Sequence, residues 1–165
     1  MSINNSGDKM LLTIVEFILG SFMHFLYDLC PSFIIAIIAP INESIFEHLK
    51  LALYPMLFVS LFVLWYRHKI NRKTLTALFY GILVSISSIV LIYYFYRYGL
   101  GIESLILDIV LLFAAIALGN YSSVIVYKHK VIMSKHIIIT AYISLIVIFT
   151  LFTFIPPQLP LFIPQ

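Results

Sequence analysis

The chain has 165 residues, of which 62% are hydrophobic and only 10% charged, and its mean hydropathy is +1.08. A soluble domain must cover its core with polar surface, and this composition cannot; it predicts a polytopic membrane protein with the lipid bilayer as its first partner. The net charge of +3 is carried in two short loops and not on a face with interleaved aromatics, so nucleic acid is excluded as a partner.

Apolar stretches long enough to cross roughly 30 Å of hydrocarbon as helix run near 10–29, 43–66, 74–96, 104–127 and 136–155. The alternation of a membrane barrel is absent, and helices satisfy their own backbone groups in lipid. The expected fold is therefore an all-α bundle of about five transmembrane helices in one domain. The first stretch contains Glu16, His24 and Asp28 and no small-x-small cleavage site, which reads as a retained helix and not a removable signal. Cys30 is the single cysteine, so no internal disulfide can form, and it reads as a buried, inert thiol.

Pro31–Ala39 is apolar but too short to span, and it predicts an interfacial or re-entrant piece before the second span. Arg67, Lys69, Arg72 and Lys73 lie between spans two and three, and Lys128, Lys130 and Lys135 between spans four and five. Five spans put both loops on one side, and the positive-inside rule makes that side cytoplasmic, with the N-terminus inside and the C-terminus outside a plasma membrane. Small residues at Gly20-Ser21, Ser85-x-Ser87-Ser88, Gly119-Asn120-x-Ser122-Ser123 and Thr140-x-x-x-Ser144 predict helix-packing seams. Trp65-Tyr66 and the tyrosines from Tyr93 to Tyr98 read as interfacial belts. The proline-rich apolar tail, 156–165, ends the fifth helix and is expected against the outer end of the bundle.

The chemistry concentrates in Pro40–Lys50. Asn42 is placed to cap the helix that follows, with Ser44 and Glu47 as a competing pair. On an ideal helix Glu43, Glu47, Lys50 and Tyr54 share one narrow stripe, whereas His48 points away from it. Under the five-span topology His24, Asp108 and Arg97 come to similar depth at the same extracytoplasmic end. Glu43, Glu47, His24 and Asp108 are the candidate ligands for a divalent metal, although no H-E-x-x-H pattern is present. Glu43, Glu47 and His24 are also the candidate catalytic groups, with Asn42, Lys50, Tyr54 and Arg97 to bind substrate. The bland alternative is a Glu47–Lys50 pair at i,i+3, with His24 and Asp108 as interhelical hydrogen bonders.

His24-Phe25-Leu26-Tyr27, the N-E-S-x-x-E-H-x-K run at 42–50, Tyr98-Gly99-x-Gly101 before Asp108, and Pro156-Pro157-x-x-Pro160-Leu161-Phe162 together resemble a family of small bacterial polytopic membrane proteins of unknown function. The resemblance spans nearly the whole chain. It implies a membrane bundle and brings no activity. The family's tail runs on to an acidic residue after the phenylalanine, which Ile163-Pro164-Gln165 lacks. Glu43, Glu47 and Lys50 also weakly resemble the glutamates and base of glutamate-type intramembrane peptidases, without their adjacent Glu-Glu. Three functions remain open on these residues: metal-assisted or carboxylate-based hydrolysis of a lipid or peptide, a small transporter or ligand-binding subunit, and a non-enzymatic accessory protein with a membrane-protein partner.

Overall fold

A computed structural model describes residues 6–164, with backbone only at Ser6; Met1–Asn5 and the tail's last residue, Gln165, lie outside the described residues. The described chain is all-helical apart from turns and one isolated bridge. Its elements are α1 (Ser6–His24), α2 (Leu26–Leu29), α3 (Phe33–Ile38), α4 (Ile45–His48), α5 (Lys50–Tyr66), α6 (Arg72–Tyr94), α7 (Leu105–Lys128) and α8 (Lys135–Phe154). Four stretches are long and apolar enough to cross a membrane: Ile45–Tyr66, Arg72–Gly99, Leu105–Lys128 and Lys135–Phe154. The chain is thus built as a multi-pass membrane protein.

Polar side chains set the helix boundaries. Asn71 and Thr74 form a reciprocal capping box at the start of α6, and Ser104 and Ser134 accept from the backbone N–H three residues on to open α7 and α8. After Tyr94 the helix widens into a π-turn, Phe95–Gly99, and the chain leaves it through Gly101 at φ +67°, a left-handed conformation that glycine adopts without strain.

Successive long helices run in opposite directions, so the chain has two chemically different ends. At one end Arg67 faces Asp8 at 3.7 Å, Lys73 lies over the Tyr127 ring, and the Met133 N–H donates to Thr76. All seven loop cations from Arg67 to Lys135 belong to that end. The other end holds His24, the α4–α5 junction, Arg97, Asp108 and the last turn of α8.

α6 and α7 approach most closely. A Cβ built on Gly81 would lie 2.6 Å from the Gly119 carbonyl, and one on Gly119 the same distance from the Gly81 carbonyl, so only glycine admits this seam. Gly20 meets the Leu51 backbone in the same way where α1 crosses α5. Ser85 and Ser123 are buried in the expected seams, but Thr140 and Ser144 are exposed on α8, whose outward face is almost entirely apolar.

The Pro31–Ala39 piece forms the short helix α3, opened by Ser32 and docked on α8, where Phe33 stacks on Phe154 at 5.0 Å. The tail folds back across the same end through a 3₁₀ turn, Pro160–Phe162. Phe162 packs 4.6 Å from Phe46, and Pro164 bridges to Ser44. Cys30 is exposed, contrary to the expectation of a buried thiol, because α2 ends at Leu29 and the chain turns outward there.

Candidate functional site

The polar run 40–50 divides into two sites because its helix begins later than an ideal stripe requires. Asn42 Oδ1 accepts from the Ser44 N–H at 2.9 Å, and Ser44 in turn caps α4 by accepting from the Glu47 N–H. Ser44 is extended, at φ −75° and ψ 151°, so Glu43 stands outside the helix and swings away from Glu47. The single face expected for Glu43, Glu47, Lys50 and Tyr54 is therefore broken at its first member.

Glu47 and Lys50 turn inward and are 2% and 0% exposed. Lys50 Nζ donates to Glu47 Oε2 at 2.7 Å, to the Ala36 carbonyl at 2.7 Å and to the Ala39 carbonyl at 3.2 Å, which uses all three ammonium protons. Glu47 Oε2 also accepts from the Ile41 N–H at 3.0 Å, and Thr153 Oγ1 lies 2.9 Å from Glu47 Oε1. The ammonium thus closes the carbonyl end of α3, where positive charge is favoured, while the carboxylate joins α4 to α8. This is the i,i+3 pair of the bland alternative, extended into a network that holds α3, α4, α5 and α8 together. Tyr54, one turn further along α5, is buried with no hydrogen-bond partner for its hydroxyl.

Glu43 instead meets two histidines. Its Oε2 lies 3.3 Å from His48 Nε2 and 3.9 Å from His24 Nε2, and the two imidazoles stand edge to face at 5.1 Å. One ligand atom from each residue falls within 4.8 Å of the others. His48 Nδ1 lies 2.8 Å from the Ser44 carbonyl, which can only accept, so Nδ1 carries a proton and Nε2 is the atom turned to Glu43. His48 was not among the candidate ligands. The signal that could have found it is local: once Ser44 is the cap, its carbonyl is four residues before His48 and orients the ring.

The three side chains help line an open cavity of about 500 Å³ between α1, α4, α5, α6 and α7. Asp108 and Arg97 line the same space, with Phe17, Ile89 and Leu112 among its apolar walls. Asp108 accepts a hydrogen bond from the Tyr96 hydroxyl, and Arg97 faces Glu103 at 3.3 Å. Of the candidate residues, His24, Glu43, Asp108 and Arg97 share the cavity, Glu47 and Lys50 form the separate buried network, and Asn42 shapes the turn between them.

A third polar group lies nearer the basic end. Glu16 is 0% exposed, with Ser60 donating to Oε1 at 3.0 Å and Asn120 donating to Oε2 at 2.6 Å; Asn120 also donates to Thr13.

Residues 2–165 match the model of a family of unknown function, DUF6512. Neither the curated proteins nor the solved structures contain a match.

Proposed function

The chain belongs to the DUF6512 family of unknown function, and since that family lends it no activity, we propose from its own geometry that it is a membrane metalloenzyme. Its site is His24, His48 and Glu43, binding a borderline divalent cation such as Zn²⁺. In this reading α1 is a fifth span, the basic end is cytoplasmic, and the cavity opens at the extracytoplasmic side.

The observation that carries the proposal is the facing of His48 Nε2 and Glu43 Oε2. With one ring proton committed to the Ser44 carbonyl, Nε2 faces the carboxylate at 3.3 Å, as a bare lone pair in the neutral ring and as a second N–H in the protonated one. A second ring proton satisfies that pair alone, whereas a metal ion satisfies the pair and His24 together. Ligand atoms on one tetrahedral Zn²⁺ lie about 3.4 Å apart, given bonds of about 2.0–2.1 Å. Glu43 Oε2 already lies near that distance from both rings, and the remaining closure, of the two histidine nitrogens from within 4.8 Å, needs about 1 Å of movement by the half-exposed imidazoles.

Two histidines and one carboxylate would hold such an ion with room for a water, whose acidity the ion would raise toward neutral pH. Asp108 supplies a base in the same cavity, Arg97 a cation for a developing or resident negative charge, and the apolar walls a place for a hydrocarbon chain. Those parts suit hydrolysis of an amphiphile whose polar bond sits near the membrane surface. Glu47 and Lys50 serve the scaffold and not the reaction.

The test is metal content of the mildly solubilised chain after chelation and reloading with Zn²⁺. Stoichiometric zinc is expected in the wild type and in Glu47→Gln, and loss in His24→Ala, His48→Ala and Glu43→Gln. Zinc bound equally by His48→Ala, or not at all by a folded wild type, defeats the proposal. For the reaction, release of fatty acid from a long-chain ester in mixed micelles should require zinc and fall at least about a hundredfold in Asp108→Asn.

A further inference from the structure

Glu16 takes no part in the outer cavity, and its surroundings ask for a different ligand. It lies two turns before His24 on α1, about 12 Å along the axis. Its hydrogen-bond partners, Ser60 from α5 and Asn120 from α7, are both neutral. An ionised carboxylate at this depth without a counter-charge is costly, so the group must carry a proton or hold a cation. Both oxygens already have hydrogen-bond donors, a hydroxyl 3.0 Å from one and an amide nitrogen 2.6 Å from the other, which favours the proton.

A second observation shows a route to it. Ser60 and Asn120 line a small cavity, about 20 Å³, that reaches Arg67, Lys69 and Tyr127 at the basic end. That is room for a single water. Ser123 lines the same space, and its hydroxyl, on a side chain only 4% exposed, has no hydrogen-bond partner. A water there would meet three polar groups, Ser123, Ser60 and Asn120, which is the number a buried water usually requires.

We propose that Glu16 is an exchangeable proton site, loaded from the basic end through this cavity and the Ser60 hydroxyl. In the loading step a hydronium in the cavity passes a proton to Ser60 Oγ as Ser60 passes its own to Glu16 Oε1. One O–H bond forms and one breaks at Ser60; the hydronium becomes water, the carboxylate becomes a neutral acid, and no other reactant is consumed. The charged and titratable groups around the route are few. On α1 they are Asp8 and Lys9, a full turn or more away, with Asp8 engaged by Arg67. From α5 come Arg67 and the following Lys69; α7 contributes Tyr127, over which Lys73 of α6 lies. Of these, Arg67, Lys69 and Tyr127 line the cavity at its basic end, and the hydrogen bonds on Glu16 come from Ser60 and Asn120. The site is independent of the metal reading and stands or falls separately.

The experiment is infrared spectroscopy of the full chain in lipid, paired with dicyclohexylcarbodiimide labelling, which attacks protonated carboxyl groups in apolar surroundings. The wild type should show the carbonyl stretch of a neutral carboxylic acid that is absent from Glu16→Gln, and mass spectrometry should place the adduct on Glu16, with labelling falling as pH rises. Ser60→Ala keeps the acid and should slow the deuterium shift of its band roughly tenfold, equivalent to about 1.4 kcal/mol of barrier. An absent acid band overturns the proposal. Protection by Na⁺ at constant pH overturns it in favour of a hard monovalent cation, and unchanged exchange in Ser60→Ala overturns the route.

Discussion

Lys50 shows how a charge can be more buried than most leucines and still be stable. Its three protons each meet an oxygen, and one of those oxygens belongs to a carboxylate that is itself fully engaged. Removing one partner strands the other, which costs about 3–5 kcal/mol at such sites, whereas removing both leaves mainly a packing defect. Lys50→Met should therefore lower the detergent unfolding midpoint sharply, and Glu47→Gln/Lys50→Met should recover part of the loss; a double variant no better than the sum of the singles would show that the two do not act as a pair. At this scale the pairing was legible, because i,i+3 spacing alone brings Glu47 and Lys50 together. The Ala36 and Ala39 carbonyls and Thr153 were not, since they lie 14 and 11 residues before Lys50 and 106 residues after Glu47. His48 was missed for a related reason: an ideal helix started at Glu43 sends its ring away, and only the extended Ser44 returns it to Glu43.

Helix α6 illustrates the next scale. Its start is written in four residues, and Asn71→Ala should cost about 1 kcal/mol by removing the cap, read as a modest drop in thermal midpoint. Its packing is written in one. Gly81→Leu would drive a side chain into the Gly119 carbonyl and Ser123, and about 1–3 kcal/mol of overpacking or separation of α6 from α7 should follow, seen as a larger drop than any cap variant gives. The seam residues Ser85 and Ser123 were visible as small polar residues within apolar runs. Thr140 and Ser144 have the same spacing yet face outward, because small residues permit close packing without specifying which helix comes near. The stretch Pro31–Ala39 was legible as too short to span; that its carbonyl end receives a lysine depends on where α5 starts.

For the whole molecule, the distribution of cations and the alternating helix directions agree in setting one basic end against one end that holds Asp28, Glu43, Glu47, Glu103 and Asp108. The single cysteine offers a direct test of orientation. Cys30 is exposed near the site-bearing end, so a membrane-impermeant maleimide should label it in intact cells, whereas His68→Cys in a Cys30→Ser background should react only after permeabilisation. The reverse pattern would place the proposed metal site inside. Composition and run length by themselves determined that this is a helical membrane protein, because burial in lipid is a sum over residues and needs no partner to be named. They also grouped His24, Arg97 and Asp108 with the polar run 40–50 at one end, since charge is too costly in hydrocarbon to be scattered at random. Only the tertiary structure decided which of those charges share a site. A turn of one extended residue separates Glu43 from Glu47, and the contacts that make a ligand set or a buried network join side chains from different helices, whose mutual register no local periodicity contains.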